Sequence, residues 1–297
     1  MKISTTKLFI FIVSILIITL IIAFIYKANE LVEYSKNIYF MDKYVNVKIV
    51  TKNEIIANNI FDEVENIYNT YDNLINHKND YLGNLYNLNN GSTSIDYRLY
   101  KIIEYGYTWY KKSNGILNIT NGNMDDVLIN EVISDNENVL VDKSIILSND
   151  VKLNLDNIAP GYINEVVARY LKSKGINKYM INEGDNIYLG DAFKNKLYNI
   201  GIVNPNLDMI YKIIKGKNIA ISNVSKNSNI IDINTPNKVS GVTVISNNSM
   251  DAVALANILY LMDSDSGLEF IKDYDAEVIW FNTDGSIVTT KGIINYE

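Results

Sequence analysis

Residues 154–190 read NLDNIAPGYINEVVARYLKSKGINKYMINEGDNIYLG, and this stretch decides the fold. A turn at Ala159-Pro160-Gly161 precedes a segment whose apolar residues recur with helical spacing, which predicts a helix over residues 162–174 that ends near Gly175. Its buried stripe should comprise Ile163, Val166, Val167, Tyr170 and Leu171. Two strands should follow, near residues 178–181 and up to Leu189, separated by a turn. Because a loop that enters a helix presents free N–H groups, we expect the start of this helix to attract phosphates or other anions.

Strand and helix patterns alternate on both sides of this stretch. Val45, Val47 and Ile49 alternate with polar residues, which predicts a strand, and residues 56–74 then carry a helical stripe. Residues 241–245 predict a β-branched strand that leads into a helix with Ser249 as its N-cap. A closing hairpin should pair residues 278–281 with 287–289. The fold class is predicted to be α+β with packed helices, and the hairpin together with the family resemblance described below implies largely antiparallel sheets.

Composition restricts the functional classes. The chain has 297 residues and a net charge of −7 without a basic cluster, which argues against a nucleic-acid partner. It contains no Cys, so disulfides, thiolate zinc sites and lipid attachment to a cysteine are excluded. The single His, His77, lies in a predicted loop, where an incidental surface role is the simpler interpretation.

The N-terminus predicts a membrane anchor. An uncharged run from Leu8 to Tyr26 is long enough to cross a bilayer core as a helix, and it follows Lys2 and Lys7. We expect an uncleaved signal anchor in residues 1–27, with a cleaved signal peptide as the alternative. Residues 28–37 should be a tether, and residues 38–297 the folded domain. The positive-inside rule then predicts a single-pass protein of the cell membrane with an extracytoplasmic body.

Several motifs resemble the ApbE family, the FAD:protein FMN transferases, over roughly residues 38–292. The family shows a D-L-x-x-I-A-K-G-Y run, a helix, and a G-G-D turn, which correspond here to residues 154–162 and 183–185. The chain departs from this pattern at Asn154 for Asp, Pro160 for Lys and Glu183 for the first Gly. The segment 229–236 resembles the family's H-I-I-D-P-x-T-G, with Asn229 in place of the His.

By resemblance, the chain would contact the flavin of FAD through residues on several segments. These residues are Met41, Ile116, Leu117, Asn118, Asn154 and Ile230. The stretch that contains Asn118 resembles the family's G-A-F-D-P-T turn, with an amide in place of the Asp. An ordinary strand after a helix end remains the alternative for this stretch.

A magnesium site is also implied by the resemblance. The family motif A-D-A-L-A-T-A places Asp and Thr four residues apart on one helical face, where both oxygens reach Mg²⁺. Placed on residues 250–256, the motif assigns its Asp to Asp251 and its Thr to Leu255, and the backbone carbonyl of Asn157 would complete the ligands. The alternative for Asp251 is an acidic residue that the helix dipole favours in the first turn.

Two functions follow from the resemblance. The first is a membrane-anchored FAD:protein FMN transferase-like protein that uses FAD and Mg²⁺ to modify a Thr or Ser hydroxyl of a target protein. The second is a catalytically inactive relative that binds flavin or a protein partner. The replacement of the family's Lys, Thr and His bears on the choice between these two functions. Each replacement removes a charge, a ligand or a hydrogen-bonding group that phosphoryl transfer uses. The resemblance gives no catalytic side chain that the chain retains.

Overall fold

The computed structural model describes residues 5–28, 30–148, 150–194, 196–226 and 238–296. Ile230, which the sequence analysis predicts to contact flavin, lies outside these residues together with the rest of the segment 229–236. The helices of the described chain are α1 (Thr5–Ala28), α2 (Glu54–Ile75), α3 (Leu85–Asn89), α4 (Tyr97–Lys112), α5 (Ala159–Ser173), α6 (Ser249–Tyr260) and α7 (Ser264–Phe270).

Within the described residues, the strands form one large sheet and three two-stranded sheets. They are β1 (Val32–Phe40), β2 (Lys43–Thr51), β3 (Ser94–Asp96), β4 (Val127–Ile129), β5 (Leu140–Asp142), β6 (Ile145–Leu147), β7 (Tyr179–Asn182), β8 (Asn186–Leu189), β9 (Tyr198–Asn204), β10 (Met209–Gly216), β11 (Ala220–Ser225), β12 (Val239–Ser246), β13 (Ala276–Asn282) and β14 (Ile287–Thr289). The large sheet has the order β1-β2-β7-β8-β11-β12-β13-β14, and every neighbouring pair in it is antiparallel. The predicted α+β fold with largely antiparallel sheet is confirmed.

Helices α2, α5 and α6 cover one face of the large sheet. In α5, Ile163, Val167 and Leu171 are fully buried, as the sequence pattern predicts, whereas Val166 and Tyr170 are only half-buried. The other face carries a smaller core, to which β9 and β10 contribute Ile202 and Ile214. Strand β12 is consequently buried along its whole length, which agrees with its β-branched composition.

Helices α5 and α6 cross at very close range, and Gly161 makes this possible. A Cβ atom at Gly161 would lie 2.7 Å from the carbonyl oxygen of Ser249 and 2.8 Å from the Cβ of Val253. Such distances are below van der Waals contact, so only Gly allows the first turns of the two helices to meet. The crossing fixes the loop before α5 against the middle of α6.

The N-terminal region departs from the expected organisation. Residues 32–37, predicted to be a tether, belong to β1, which pairs with β2 from Val32↔Thr51 to Phe40↔Lys43. The pairing draws them into the sheet because Ile38 and Phe40 are buried at the end of the same strand. In the described part of the chain, no helix is both long and apolar enough to cross a membrane, so the span predicted at residues 8–26 is not supported.

Candidate functional site

A cleft of about 580 Å³ opens where the β1–β2 turn, the end of α2, the loop before α5, the β7–β8 turn, β11 and α6 meet. It is lined by Met41, Asp42, Lys43, Asp72, Ile75, Asn76, His77, Lys78, Asp156, Asn157, Pro160, Glu183, Asp185, Asn186, Ser222, Asn223, Val224, Val253 and Asn257. Its volume falls within the range of small-molecule sites. The residues that line the cleft are up to more than 200 positions apart in sequence, so the cleft exists only in the folded protein.

The β1–β2 turn forms one rim of the cleft. Met41 and Asp42 both adopt positive φ, at 47° and 60°, which gives the tight two-residue hairpin turn. The backbone N–H of Met41 donates a hydrogen bond of 3.1 Å to Oδ1 of Asp72, near the end of α2. This bond holds the turn against α2 and places Lys43 at the mouth of the cleft.

The loop before α5 is tied to α6 at the floor of the cleft. The side-chain amide of Asn257 donates a hydrogen bond of 3.0 Å to the backbone carbonyl of Asn157 and one of 2.8 Å to that of Val253. Asn257 is itself buried. Helix α5 begins at Ala159 without a side-chain N-cap hydrogen bond. The anion-binding N–H groups expected at this helix start are nevertheless mostly used, because Ala159 donates to the Leu155 carbonyl over 2.8 Å, Tyr162 donates to the Ile158 carbonyl over 3.2 Å, and Pro160 has no N–H.

Glu183 is a buried carboxylic acid on the wall of the cleft, with 5% of its surface exposed. The amide of Asn164 donates to its Oε2 over 3.3 Å, and the hydroxyl of Tyr68 donates to Oδ1 of Asn164 over 2.7 Å. Burial raises the pKa of Glu183 from 4.5 to about 7, although Lys43 and the amides of Asn164 and Asn186 act to lower it. Glu183 can therefore exchange a proton near neutral pH.

The charge of the cleft is predominantly negative. Its described lining includes the carboxyl groups of Asp42, Asp72, Asp156, Glu183 and Asp185, against the ammonium groups of Lys43 and Lys78. Lys43 and Asp185 approach each other to 3.8 Å, and both side chains are more than half exposed. An anionic ligand would thus meet two local cations in a field that is repulsive overall.

Asp251, a predicted metal ligand, lines a different cavity. This second cavity, of about 670 Å³, lies between α4, α5 and α6 and is also lined by Tyr105 and Lys101. Oδ2 of Asp251 accepts a hydrogen bond of 2.9 Å from the amide of Asn248, whose own Oδ1 accepts from the Asp251 N–H over 2.8 Å. Asn248, and not Ser249 as the sequence predicts, is the N-cap of α6. This reciprocal pairing is the arrangement expected of an acidic residue in the first turn of a helix.

The two predicted metal ligands are therefore not brought together, since Asn157 lines the cleft and Asp251 the second cavity. Among the described residues, no group of three or more His, Cys, Asp or Glu side chains is arranged to hold a metal ion. Leu255, which the sequence analysis places at the family's Thr position, is buried in the main core.

Of the described residues predicted to contact flavin, Met41 lines the cleft, whereas Ile116, Leu117, Asn118 and Asn154 are absent from its lining. Leu117 is buried in the main core, and Ile116 packs against it. Asn118 accepts hydrogen bonds from the N–H and the hydroxyl of Thr120, at 2.9 and 2.8 Å. Asn154 accepts one of 2.8 Å from the Asp156 N–H. Both amides stabilise local turns, and the predicted flavin role of these four residues stays a prediction.

The structure adds Glu183 and Asn257 to the residues that sequence reasoning selected. Glu183 appears in the sequence only as a departure from a Gly-Gly-Asp turn, and no local signal indicates that its carboxyl group is buried. Asn257 lies four residues after Val253, and this pair faces the cleft. The spacing matches that of the family's Asp and Thr, so a second placement of the motif on residues 252–258 would have pointed to it.

Comparisons with known proteins agree with this architecture. The FAD:protein FMN transferase of Vibrio cholerae serotype O1 is 32% identical over 143 residues, which are 41% of this chain and 43% of that protein. The chain thus spans less than half the length of this curated relative in the match. The solved structure of the flavin transferase ApbE from Vibrio cholerae aligns with a TM-score of 0.76 at 18% identity, over 90% of this chain and 100% of that one. The ApbE protein of Thermotoga maritima aligns with a TM-score of 0.73 at 16% identity, over 90% and 99%.

The model of the ApbE family matches residues 41–280. This range begins at Met41 on the rim of the cleft and includes each of the elements that line it. The match extends over most of the folded part of the chain, and the solved structures share its overall fold. The chain belongs to the ApbE family.

Proposed function

We propose that the protein binds FAD in the cleft between Met41 and Asn257 and transfers the FMN moiety to a Thr or Ser hydroxyl of a target protein. The observation that carries this proposal is the family match over residues 41–280, which includes every element around the cleft. FAD is a substrate in this reaction, and the target protein is its second substrate. The activity comes from the family and from the printed name of the Vibrio cholerae relative.

The cleft offers complementary groups for such a ligand. The ammonium groups of Lys43 and Lys78 line the cleft and supply positive charge for phosphate oxygens. The side chains of Asn186 and Asn223 also line the cleft, and their amide oxygens accept hydrogen bonds of 2.7 Å from Ser222 and Thr243. Met41 contributes apolar surface at the rim.

The transfer step needs a proton acceptor. The hydroxyl oxygen of the target forms a bond to the phosphorus on the FMN side of FAD, the bond from that phosphorus to the oxygen bridging to AMP breaks, and AMP leaves with the bond electrons. The hydroxyl proton must go to a base. We assign this role to Glu183, because it is buried on the cleft wall and burial raises its pKa to about 7.

The test of this function uses the full-length protein and FAD. AMP release is followed by chromatography, and covalently attached flavin by the fluorescence of denatured protein bands after incubation with an extract of the source cells. We expect AMP and a fluorescent band with the wild-type protein, and a strong loss of both in Glu183→Gln. FAD binding without AMP release and without a fluorescent band would contradict transfer.

A flavin- or partner-binding module without turnover is the second candidate. It is favoured by Pro160, which replaces the family's Lys on the cleft wall and removes a cation there. Loss of one preorganised charge stabiliser can cost about 2.7–4 kcal/mol in the transition state. FAD bound by the wild-type protein and unchanged after prolonged incubation would support this module.

The cellular location is a separate proposal that rests on the sequence alone. The uncharged run from Leu8 to Tyr26 and the preceding Lys2 and Lys7 support a single-pass anchor with an extracytoplasmic body. Protease added to intact cells should then degrade residues 38–297. A protected body, or a protein recovered free in the cytosol, would contradict this location.

A further inference from the structure

The carbonyl of Asn157, which the resemblance assigns to a magnesium ion, already has a partner in this chain. The amide of Asn257 donates to it over 3.0 Å, and the same amide donates to the Val253 carbonyl over 2.8 Å. An N–H group directed at a carbonyl oxygen takes one of its two acceptor positions and places a partly positive hydrogen next to any cation that would bind at the other. Mg²⁺ also demands near-octahedral oxygen ligands, which a buried N–H donor does not provide.

The face that α6 turns toward the cleft carries no carboxylate. Val253 and Asn257, four residues apart, are the α6 residues that line the cleft, and the side chain of Val253 has no atom that can bind a cation. The family motif A-D-A-L-A-T-A fits residues 252–258 as well as residues 250–256, with four identities in each placement. On residues 252–258, the family's Asp corresponds to Val253 and its Thr to Asn257. The cleft geometry favours this second placement.

Asp251 does not replace the missing carboxylate. Its oxygens accept hydrogen bonds from Asn248 at 2.9 Å and from the Tyr105 hydroxyl at 3.4 Å, and it lines the second cavity. Both bonds would have to break for this carboxylate to turn toward the cleft. The donor set around Asn157 therefore does not fit the metal ion that the family implies.

We propose that the cleft binds its ligand without a resident divalent cation, because the side-chain amide of Asn257 holds the Asn157 carbonyl in the place of the ion. This inference rests on the proposed FAD site. Asn257 is a positioning residue in this role, since it fixes the loop before α5 whether or not a ligand is bound. Lys43 and Lys78 then remain as the cations on the described cleft wall.

The test measures Mn²⁺ binding to the full-length protein by electron paramagnetic resonance, in which the signal of free Mn²⁺ falls as the ion binds. We expect the wild-type protein to leave the signal unchanged. Asn257→Asp is nearly isosteric but replaces the N–H donor by an oxygen that faces the Asn157 carbonyl, and we expect this variant to bind Mn²⁺ and to gain thermal stability when Mg²⁺ is added. Asp251→Ala is the matched variant in the other cavity and should behave as the wild type.

Three results would overturn the inference. The first is tight Mn²⁺ binding by the wild-type protein that Asp251→Ala abolishes, which would place the ion at Asp251. The second is tight wild-type binding that Asp251→Ala leaves intact. The third is a folded Asn257→Asp variant that binds no Mn²⁺, because the amide would then not be what excludes the ion. If FAD fails to bind with or without Mg²⁺, the proposed function fails, whereas the Mn²⁺ titration still decides this inference.

Discussion

The side-chain amide of Asn257 and the backbone carbonyl of Asn157, 100 residues apart in sequence, form a hydrogen bond of 3.0 Å at the floor of the cleft. The bond connects the middle of α6 to the loop that opens α5. It stabilises this part of the cleft with groups of the chain itself. The stability of the loop should accordingly depend on Asn257.

Asn257→Ala should destabilise the fold. The substitution leaves the half-buried Asn157 carbonyl without this donor, and the lost hydrogen bond costs roughly 0.5–1.5 kcal/mol. The free energy of unfolding, measured with urea, should fall by that amount, whereas Asn138→Ala in an exposed loop should change it little. Equal stability of the two variants would show that the bond contributes nothing.

Gly161→Ala should weaken the packing of α5 on α6. Its Cβ would lie 2.7 Å from the Ser249 carbonyl oxygen and 2.9 Å from Cγ2 of Val253, so the helices must separate at a cost of about 1–3 kcal/mol. Adding Val253→Ala removes the contact with Cγ2, whereas the contacts with the Ser249 oxygen and with Cβ of residue 253, at 2.7 and 2.8 Å, remain. The double variant should therefore be less destabilised than the sum of the single ones. Additive losses in urea unfolding would contradict this packing.

Glu183 should make stability depend on pH. Its pKa in the folded state, about 7, lies above the ordinary value of 4.5, so the folded state holds a proton that the unfolded state has lost between these values. The stabilisation is complete below about pH 4.5 and is lost as the pH rises through 7, roughly 3 kcal/mol in total. Glu183→Gln should lack this part of the pH dependence and be more stable than the wild type at pH 8.

The matched control for Glu183 is Glu137→Gln, which changes an exposed carboxyl group in a loop. Its unfolding free energy should follow the wild-type pH profile. A Glu183→Gln profile that also follows the wild type would show that Glu183 ionises with an ordinary pKa.

The negative field of the cleft should oppose FAD binding. Asp156→Asn removes one carboxylate three residues before α5 begins, so we expect FAD to bind up to about fivefold more tightly. Added salt should also tighten wild-type binding, because it screens a net repulsion. Flavin fluorescence titrations measure both effects, with Asp135→Asn in an exposed loop as the control. Weaker binding at higher salt would mean that the lysines dominate the field.

Local patterns were sufficient to predict most of the fold. Strand β2 alternates with period two, and α5 carries its apolar residues on one face, so each element could be identified from adjacent residues. The antiparallel arrangement followed from the resemblance together with the hairpin signals. The strand at residues 32–37 was missed because it lies at the edge of the sheet, where most of its side chains are exposed and polar.

The cleft could be predicted only in part. Helix α6 is buried on nearly all sides, and its alternating Ala252, Ala254 and Ala256 fit two placements of one motif, so periodicity could not reveal which face meets the cleft. Burial raises the pKa of Glu183 while Lys43 and Asn164 act to lower it, so its value depends on groups that the fold collects from separate elements. Such long-range relationships are not encoded in any single stretch of sequence.

The most direct test is whether FAD binds in the cleft and not in the second cavity. Lys43→Glu reverses a charge at the cleft mouth, and Lys101→Glu makes the same change in the second cavity. In fluorescence titrations of the full-length protein with FAD in the presence of EDTA, we predict that the wild type and Lys101→Glu bind with the same affinity and that Lys43→Glu binds more weakly. No binding by the wild type, or a loss confined to Lys101→Glu, would contradict the assignment of the cleft as the FAD site.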